Sequence, residues 1–502
     1  MSKLVWGVSA LHHDAAMCVI ELSDDKTAKI LYASHAERYS RVKNDPKLNS
    51  AQVKEAMAYG LPESVYWYED PYLKHKRWLF SGQIKSFLTE PWPHAYLDSI
   101  PEISDFLNGA DLITGHHHKS HLYSGLATIP FFTNTLGGGM SLIIDAIGEY
   151  QTSSVWHTCS EGKTRLVAEE TYPKSIGLLY AVITQYVGLK PMEEEFILMG
   201  MAAYGTFNID IDDIIECAYA TNLYKGLSPT LKAKLDGFKY SDIAATLQDF
   251  VERETMRLLT PALSYSPTYL NLGGGAALNC VNNATLAARY KIPTWIFPNA
   301  GDAGTCVGAV MQHYPEHKIK DYSPFSGTDA NTTVDPVKFV DELLSNQAAG
   351  LFQGRAEFGP RALGNRSVIA DPRKTDVKDR VNQYKNRQQF RPLAPMVLER
   401  YAKEYFAMPD NVADSARYMQ VTTQANPLRA HEIPAVIHKD GTARIQVIKA
   451  NDPAEPILEE WYRRTGCPVL LNTSLNVRGE PLVNTVDQAA NFEAKTGIRV
   501  FR

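Results

Sequence analysis

With 502 residues the chain is too long for one ordinary hydrophobic core, so two domains or more are expected. Hydrophobic residues make up 44% and charged residues 21%, a globular balance, and no apolar run reaches the roughly 18 to 20 residues of a membrane-spanning helix. The net charge of −5 gives no global electrostatic reason for a nucleic-acid partner and leaves only local basic patches open.

The N-terminal residues alternate like a strand and meet Glu21, Asp24 and Asp25 early, which does not fit a signal peptide and points to an intracellular, cytoplasmic protein. Strands are predicted at residues 4–9, 15–22 and 29–35, the first two joined by the turn LHHD. A second meander of the same kind is predicted at 141–145, 153–157 and 166–170. Two such meanders, each followed by mostly helical sequence, suggest a duplicated α/β domain with a cleft between its halves. Helices are predicted at 175–186, 241–259 and 277–290 from apolar residues at helical spacing. The stretch 314–335 is rich in Pro, Ser, Thr, Asp and Gly without a period, and is the linker candidate. Six scattered cysteines (Cys18, Cys159, Cys217, Cys280, Cys306 and Cys467) form no CxxC pair, so neither a disulfide framework nor a cysteine zinc site is expected.

Five clusters carry chemistry. In GHHHKSH, residues 115–121, His117 and His121 would share one face of a helix and chelate a divalent metal, the alternative being a solvated His-rich turn. In NLGGGAALN, residues 271–279, a strand runs through glycines into a helix, which lets a ligand approach the backbone and offers free N–H groups to phosphate, although a purely structural turn has the same pattern. PNAGDAGTCVGA, residues 298–309, is a second such turn and carries Asp302, which is either a cap or a ligand that meets the histidines. In FQGRAEFGPRALGNRS, DPR and KNRQQFRPLAP, residues 352–395, arginines alternate with Gly, Pro and aromatics; arginines on turns can fork onto phosphate oxygens, and surface salt bridges are the alternative. LLNTSLNVRGEPLV, residues 470–483, places polar groups between two strands where they can bond a small planar group.

These motifs, in this order, resemble the carbamoyltransferases typified by nodulation protein U and the tobramycin-biosynthesis carbamoyltransferase. The resemblance rests on HDAA, HHHKSH, DAIGE, SIGLLYAVITQYVGL, LMGMAAYG, GGGAALNCV, GDAGTCVGA, GRAEFGPRALGNRSVIADPR, FRPLAP, PAVIHKDGTARIQ and NTSLNVRGEP, and covers almost the whole chain. It implies a Kae1-like domain of the actin-like ATPase superfamily at residues 1–320, a linker at 321–336, and a YrdC-like α/β domain at 337–502. The second domain would convert ATP, with Mg2+, and carbamoyl phosphate to carbamoyl-adenylate. The first would pass the carbamoyl group to an acceptor hydroxyl beside iron(II) or another divalent metal.

Carried over by motif, the metal ligands are His117, His121 and Asp302, and His13, with Asp14 beside it, is the acceptor-activating base. Gly274, Gly275, Asn279 and Gly301 would hold the nucleotide. Arg355, Arg361, Arg366, Lys385, Arg387, Arg391, Asn472 and Ser474 would hold carbamoyl phosphate and ATP. Three departures stand out: Ile197 where relatives carry Lys, Ala146 for a glycine, and Met396 for a serine, which together imply an altered grip on the adenylate. Rival readings are a sugar kinase or other actin-like ATPase, which the arginine-rich second domain argues against, and a non-catalytic nucleotide-binding partner, which the His/Asp set argues against.

For the acceptor, residues 66–87 (YWYEDPYLKHKRWLFSGQIKSF) alternate aromatics with cations, the composition of a nucleic-acid groove, with core filling by the tryptophans as the alternative. On that basis Lys74, Lys76, Arg77 and Trp78 are expected to bind a 5-hydroxymethylpyrimidine in DNA or a nucleotide, as for family members in phage settings, with a sugar or natural-product hydroxyl as the alternative. No membrane partner is expected, and a homodimer is compatible with the sequence.

Overall fold

The computed structural model describes residues 2–107, 109–131, 138–207 and 222–502. The chain forms two compact units, the first made of Met1–Ala36, Asn44–Asn282 and Ile292–Tyr322, the second of Glu37–Lys43, Asn283–Lys291 and Ser323–Arg502.

In the first unit β1 (Lys3–Ser9), β2 (Ala16–Leu22) and β3 (Thr27–His35) form an antiparallel meander, and β4 (Ser64–Trp67) and β5 (Asp111–Thr114) continue the sheet in parallel beyond β1. The same plan recurs in β6 (Gly139–Gly148), β7 (Gln151–Thr158), β8 (Thr164–Thr171), β9 (Leu270–Gly273) and β10 (Thr294–Ile296). Both sheets therefore run 3-2-1-4-5, a duplicated α/β fold of the actin-like ATPase kind; β11 (Lys318–Ile319) adds an edge beside β3. Strands β1 and β2 are almost continuously buried, with the Thr305–Met311 helix packed against both.

Backbone contact draws the functional elements together. A Cβ on Gly308, in the Thr305–Met311 helix, would overlap the carbonyl of Ser120, and one on Gly7 of β1 would overlap the carbonyl of Cys306. Only glycine lets that helix touch both β1 and the His117–Thr128 helix. Ser175 caps the Ile176–Tyr186 helix by accepting from Leu178 N at 3.0 Å, and its hydroxyl donates to the carbonyl of Ala146 at 2.6 Å, so the cap also fastens the helix to β6. The helical pattern read at 277–290 is broken at Asn279 into a 3-10 turn, Gly275–Leu278, and the Cys280–Tyr290 helix.

The second unit holds β12 (Phe325–Asp329), β13 (Ala348–Phe352), β14 (Arg355–Glu357), β15 (Arg366–Ala370), β16 (Ala394–Leu398), β17 (Thr422–Gln424), β18 (Thr442–Arg444), β19 (Gln446–Ile448), β20 (Val469–Ser474) and β21 (Val500–Phe501). Its main sheet is mixed, in the order β19-β16-β20-β15-β13-β21, over a core that includes Phe339, Leu351, Met396 and Trp461. The stretch expected as a linker contains β11 and β12, whose pairing partners lie far away in sequence and so left no local period to read. Among the described residues no helix is long and apolar enough to cross a membrane. The described cysteines form no disulfide, and Cys217 lies outside the described residues.

Candidate functional site

The His117–Thr128 helix stacks His117 and His121 one turn apart, with their Nε2 atoms 3.1 Å from each other. Asp302, in the turn Asp302–Gly304, brings Oδ1 to 3.5 Å from His117 Nε2 and 3.4 Å from His121 Nε2. Asp145 of β6 completes the group, with Oδ2 at 2.8 Å from His117 Nε2 and 3.3 Å from His121 Nε2. All four are buried.

Ligands held about 2.1 Å from one ion stand roughly 3.0 to 3.4 Å apart, close to the spacing of these four atoms. Two Nε2 atoms that face each other at 3.1 Å cannot donate to one another, and two buried carboxylates converge on the same point. A divalent cation resolves both conflicts, so the donor set fits a metal. Burial and the neighbouring Asp145 charge push the Asp302 carboxyl up, and His13 and His117 outweigh both and hold it below the ordinary carboxylate range. Asp145 was not among the ligands read from the sequence, although it opens the DAIGE motif.

The rest of DAIGE builds the platform. Glu149 Oε1 accepts from Asp70 N at 2.7 Å and His117 N at 3.1 Å, which ties the start of the histidine helix to the start of the Pro71–Phe80 helix. Gln312 Oε1 accepts from His116 N at 3.0 Å, and its amide donates to Ser120 Oγ at 2.8 Å. A Cβ on Gly148 would overlap the His117 ring. Gly148→Ala is accordingly expected to cost about 1 to 3 kcal/mol of stability and to lower metal content by displacing that ring, as read by thermal unfolding and metal analysis.

His13 occupies the β1–β2 turn. Its Nδ1 lies 3.0 Å from Asp14 Oδ2 and its Nε2 lies 3.4 Å from Asp302 Oδ2, while His12 Nδ1 stands 3.8 Å from that same oxygen. Leu11 and Asp14 both have left-handed backbone, at φ 70° and 54°, a strained geometry for non-glycine residues. Leu11 N→Pro46 O and Ala15 N→Asp45 O, each 2.8 Å, hold the turn in place. Burial pulls the His13 imidazole down, but Asp302 and the hydrogen bond with Asp14 more than reverse this and hold it at about 9.

The glycine-rich turn lies beside this cluster. Gly274 has φ 86°, and a Cβ there would overlap the carbonyl of Ile144; a Cβ on Gly275 would stand 3.1 Å from Asp145 Oδ1. Gly301 directly precedes Asp302. Asn279 is engaged locally: its Oδ1 accepts from Asn282 N at 3.0 Å and its amide donates to Gln248 Oε1 at 2.8 Å.

A second polar site lies in the second unit. Lys385 Nζ, fully buried, donates to the carbonyls of Ser474 and Asn476 and to Asn476 Oδ1. Arg387 donates to Thr473 Oγ1 at 3.1 Å and Ser474 Oγ at 3.0 Å. Both meet only neutral oxygens among the described residues. Burial, followed by the charge of Arg391, drives Arg387 well below the ordinary arginine range, and the charge of Arg444 adds to this. Arg444 was missed as a site residue, although it stands in the motif PAVIHKDGTARIQ.

Arg366 and Arg355, also read as anion ligands, bond backbone carbonyls. Arg366 is fully buried and gives its terminal nitrogens to the carbonyls of Gln353, Gly354, Asn365 and Thr328, with its plane 4.1 Å from the Phe352 ring centre. Arg355 bonds the carbonyls of Ser326 and Gly327. Asn472 donates to Ala362 O and Gln446 Oε1. Arg361 is half-buried on the turn that Glu357 organises by accepting from Leu363, Asn365 and Arg366 N. Of the three departures, Ile197 and Met396 are buried apolar core residues, and Ala146 packs its backbone against Gly177.

The segment expected to bind nucleic acid turns inward. Lys74 is 2% exposed, with Nζ at 2.6 Å from Glu69 and 2.8 Å from Glu90. Arg77 and Trp78 are buried as well, leaving Lys76 as the one exposed member of the four. The alternation that looked like a groove is the two faces of the Pro71–Phe80 helix, with Lys74, Arg77 and Trp78 on the covered side.

Comparison with known proteins agrees with this layout. The carbamoyltransferase N-terminus model matches residues 94–311 and the carbamoyltransferase C-terminus model residues 340–501. An uncharacterized protein of Synechocystis is 30% identical, over 97% of this chain and 93% of that protein. Nodulation protein NolO of Bradyrhizobium diazoefficiens is 30% identical over 74% of this chain and 75% of its own length. Nodulation protein U of Sinorhizobium fredii is 28% identical over 75% and 76%. With both family regions matched in order across the two units, the chain belongs to the carbamoyltransferase family of enzymes.

Proposed function

We propose that the chain is an ATP-dependent O-carbamoyltransferase working in two steps. In the first, water splits carbamoyl phosphate to carbamate and phosphate, and a carbamate oxygen attacks the α-phosphorus of ATP, displacing pyrophosphate and leaving carbamoyl-adenylate. In the second, an acceptor hydroxyl attacks the carbamoyl carbon, AMP leaves, and the hydroxyl proton passes to the protein. The observation that carries this reading is the pair of cations Lys385 and Arg387, which among the described residues bond only neutral oxygens and lie within reach of the charge of Arg391. Ser474, whose hydroxyl accepts from Arg387, helps fix their geometry.

The second step is assigned to the first unit. His13 Nε2 takes the acceptor proton, and Asp14 holds the other ring nitrogen so that the imidazole keeps one orientation. Neutralising Asp302 removes the foremost upward influence on His13 and lets its neutral form serve as the base. His117, His121, Asp145 and Asp302 would hold a divalent cation, with iron(II) as the favoured candidate, and such a cation supplies Lewis-acid stabilisation of charge on oxygen. The turns at Gly274, Gly275 and Gly301, which adjoin Asp145 and Asp302, would receive the adenylate.

For the acceptor, a small hydroxylated molecule fits better than duplex DNA, since the Pro71–Phe80 helix offers only Lys76 of its cations at the surface. A free 5-hydroxymethylpyrimidine nucleotide stays within that class alongside sugars. The test is product analysis: ATP and carbamoyl phosphate together should release pyrophosphate, and addition of an acceptor should release AMP. A sugar kinase would instead form ADP without need of carbamoyl phosphate, and that result would overturn the reading.

A further inference from the structure

Among the described residues Arg77 is a buried cation without an ion-pair partner. It is 2% exposed, and among the described residues no carboxylate lies within ion-pair distance of it. Among the described residues it donates from Nη1 to the carbonyl of Ile147, at a long 3.5 Å, and its Nε has no partner. The neighbouring Lys74, one turn earlier on the same helix face, is fully matched by Glu69 and Glu90. A guanidinium taken out of water with so little in return is costly to the fold, and a structural role would ordinarily have supplied a carboxylate.

Its position gives the cost a purpose. Ile147 lies two residues from Asp145 on β6, and the Pro71–Phe80 helix is fastened through Glu149 to the N-terminus of the histidine helix. The charges of Arg77 and Lys74 both reach His12, beside the proposed base. Arg77 thus reaches the strand that carries the metal-site carboxylate Asp145, and its Nε has a donor to give.

We propose that Arg77 is a specificity residue that binds an oxyanion on the acceptor, a phosphate or a carboxylate, and so holds the reacting hydroxyl toward His13. The chemical class of acceptor is then a hydroxylated anion, such as a nucleotide, a sugar phosphate or a sugar acid, in place of a neutral alcohol. Guanidinium geometry suits this because two parallel N–H donors match the two oxygens of either group. The assignment rests on the transfer reading above for its role in the reaction, while the oxyanion site itself is independent of it.

The test uses the whole chain carrying Arg387→Met, which disables the anion site of the second unit, with inorganic phosphate and acetate as separate probes. Binding is followed by calorimetry and by the emission of Trp78, whose ring centre lies 6.0 Å from the Arg77 guanidinium carbon. One saturable site for at least one probe is expected, weakened at least about tenfold by adding Arg77→Met and less by Arg77→Lys, which keeps the charge but loses the fork. Preference for phosphate over acetate, or the reverse, identifies the source of the oxyanion. Arg77→Met should also melt no lower than its parent, since it fills the same space without an unmatched charge. Absence of saturable binding in the parent, unchanged binding in Arg77→Met, or a marked fall in melting temperature would overturn the proposal and leave Arg77 a structural residue. Pyrophosphate release by the wild-type chain reports separately on the two-step reading, so failure of one is not mistaken for failure of the other.

Discussion

His121→Ala is expected to strip the chain of its metal and abolish acceptor carbamoylation while leaving carbamoyl-phosphate-dependent pyrophosphate release unchanged. The imidazole supplies one of four donor atoms in a buried group in which each histidine Nε2 stands 2.8 to 3.5 Å from the other donors. Truncating it leaves three ligands and a void, and the loss of affinity should exceed the roughly 10- to 100-fold that follows removal of a mere outer partner. The adenylation chemistry is assigned to residues of the other unit, with no shared side chain, so it should continue. Metal analysis of the purified variant, together with separate assays of pyrophosphate and carbamoylated product, checks all three points. Loss of pyrophosphate release in the same variant would rule out the division of labour between the units.

Arg387→Met should do the opposite. Adenylate formation is expected to fall by about 10²- to 10³-fold, the scale on which a preorganised donor at developing oxygen charge usually counts. The variant should be at least as stable as the parent. Arg387 is crowded by Arg391 and Arg444, and its charge in turn presses on Lys385, so an apolar side chain of similar volume relieves repulsion within a buried site. Its bonds to Thr473 and Ser474 are lost, and each is worth only about 1 kcal/mol net. Stability gained where activity is lost is the signature of a site held in readiness for an anion. A variant that forms adenylate at the parental rate, or that unfolds markedly earlier, would place the anion elsewhere.

Much of the fold was legible in the sequence because its strands are local and regular. Both meanders were readable within one to three residues at each end, since buried strands separated by Gly and polar turns leave a clear signature in the chain itself. What blurred were elements whose reason lies elsewhere: β12 in the apparent linker pairs with β14, and a 3-10 turn ending at Asn279 interrupts a continuous helical period.

The sequence by itself determined the family motifs and the i, i+4 histidine pair, because that spacing has only one consequence on a helix. Only the tertiary structure decided which residues face which site. It brought Asp145 into the histidine group across the platform set by Glu149 and Gly148, a contact with no trace in local spacing. It also turned Lys74 and Arg77 inward, gave Arg366 to backbone carbonyls, and left Arg387 among other cations. A charge pattern along a chain lists which groups are available, whereas burial and partner distance, which depend on residues far away in sequence, decide whether each cation is matched or waits for a ligand.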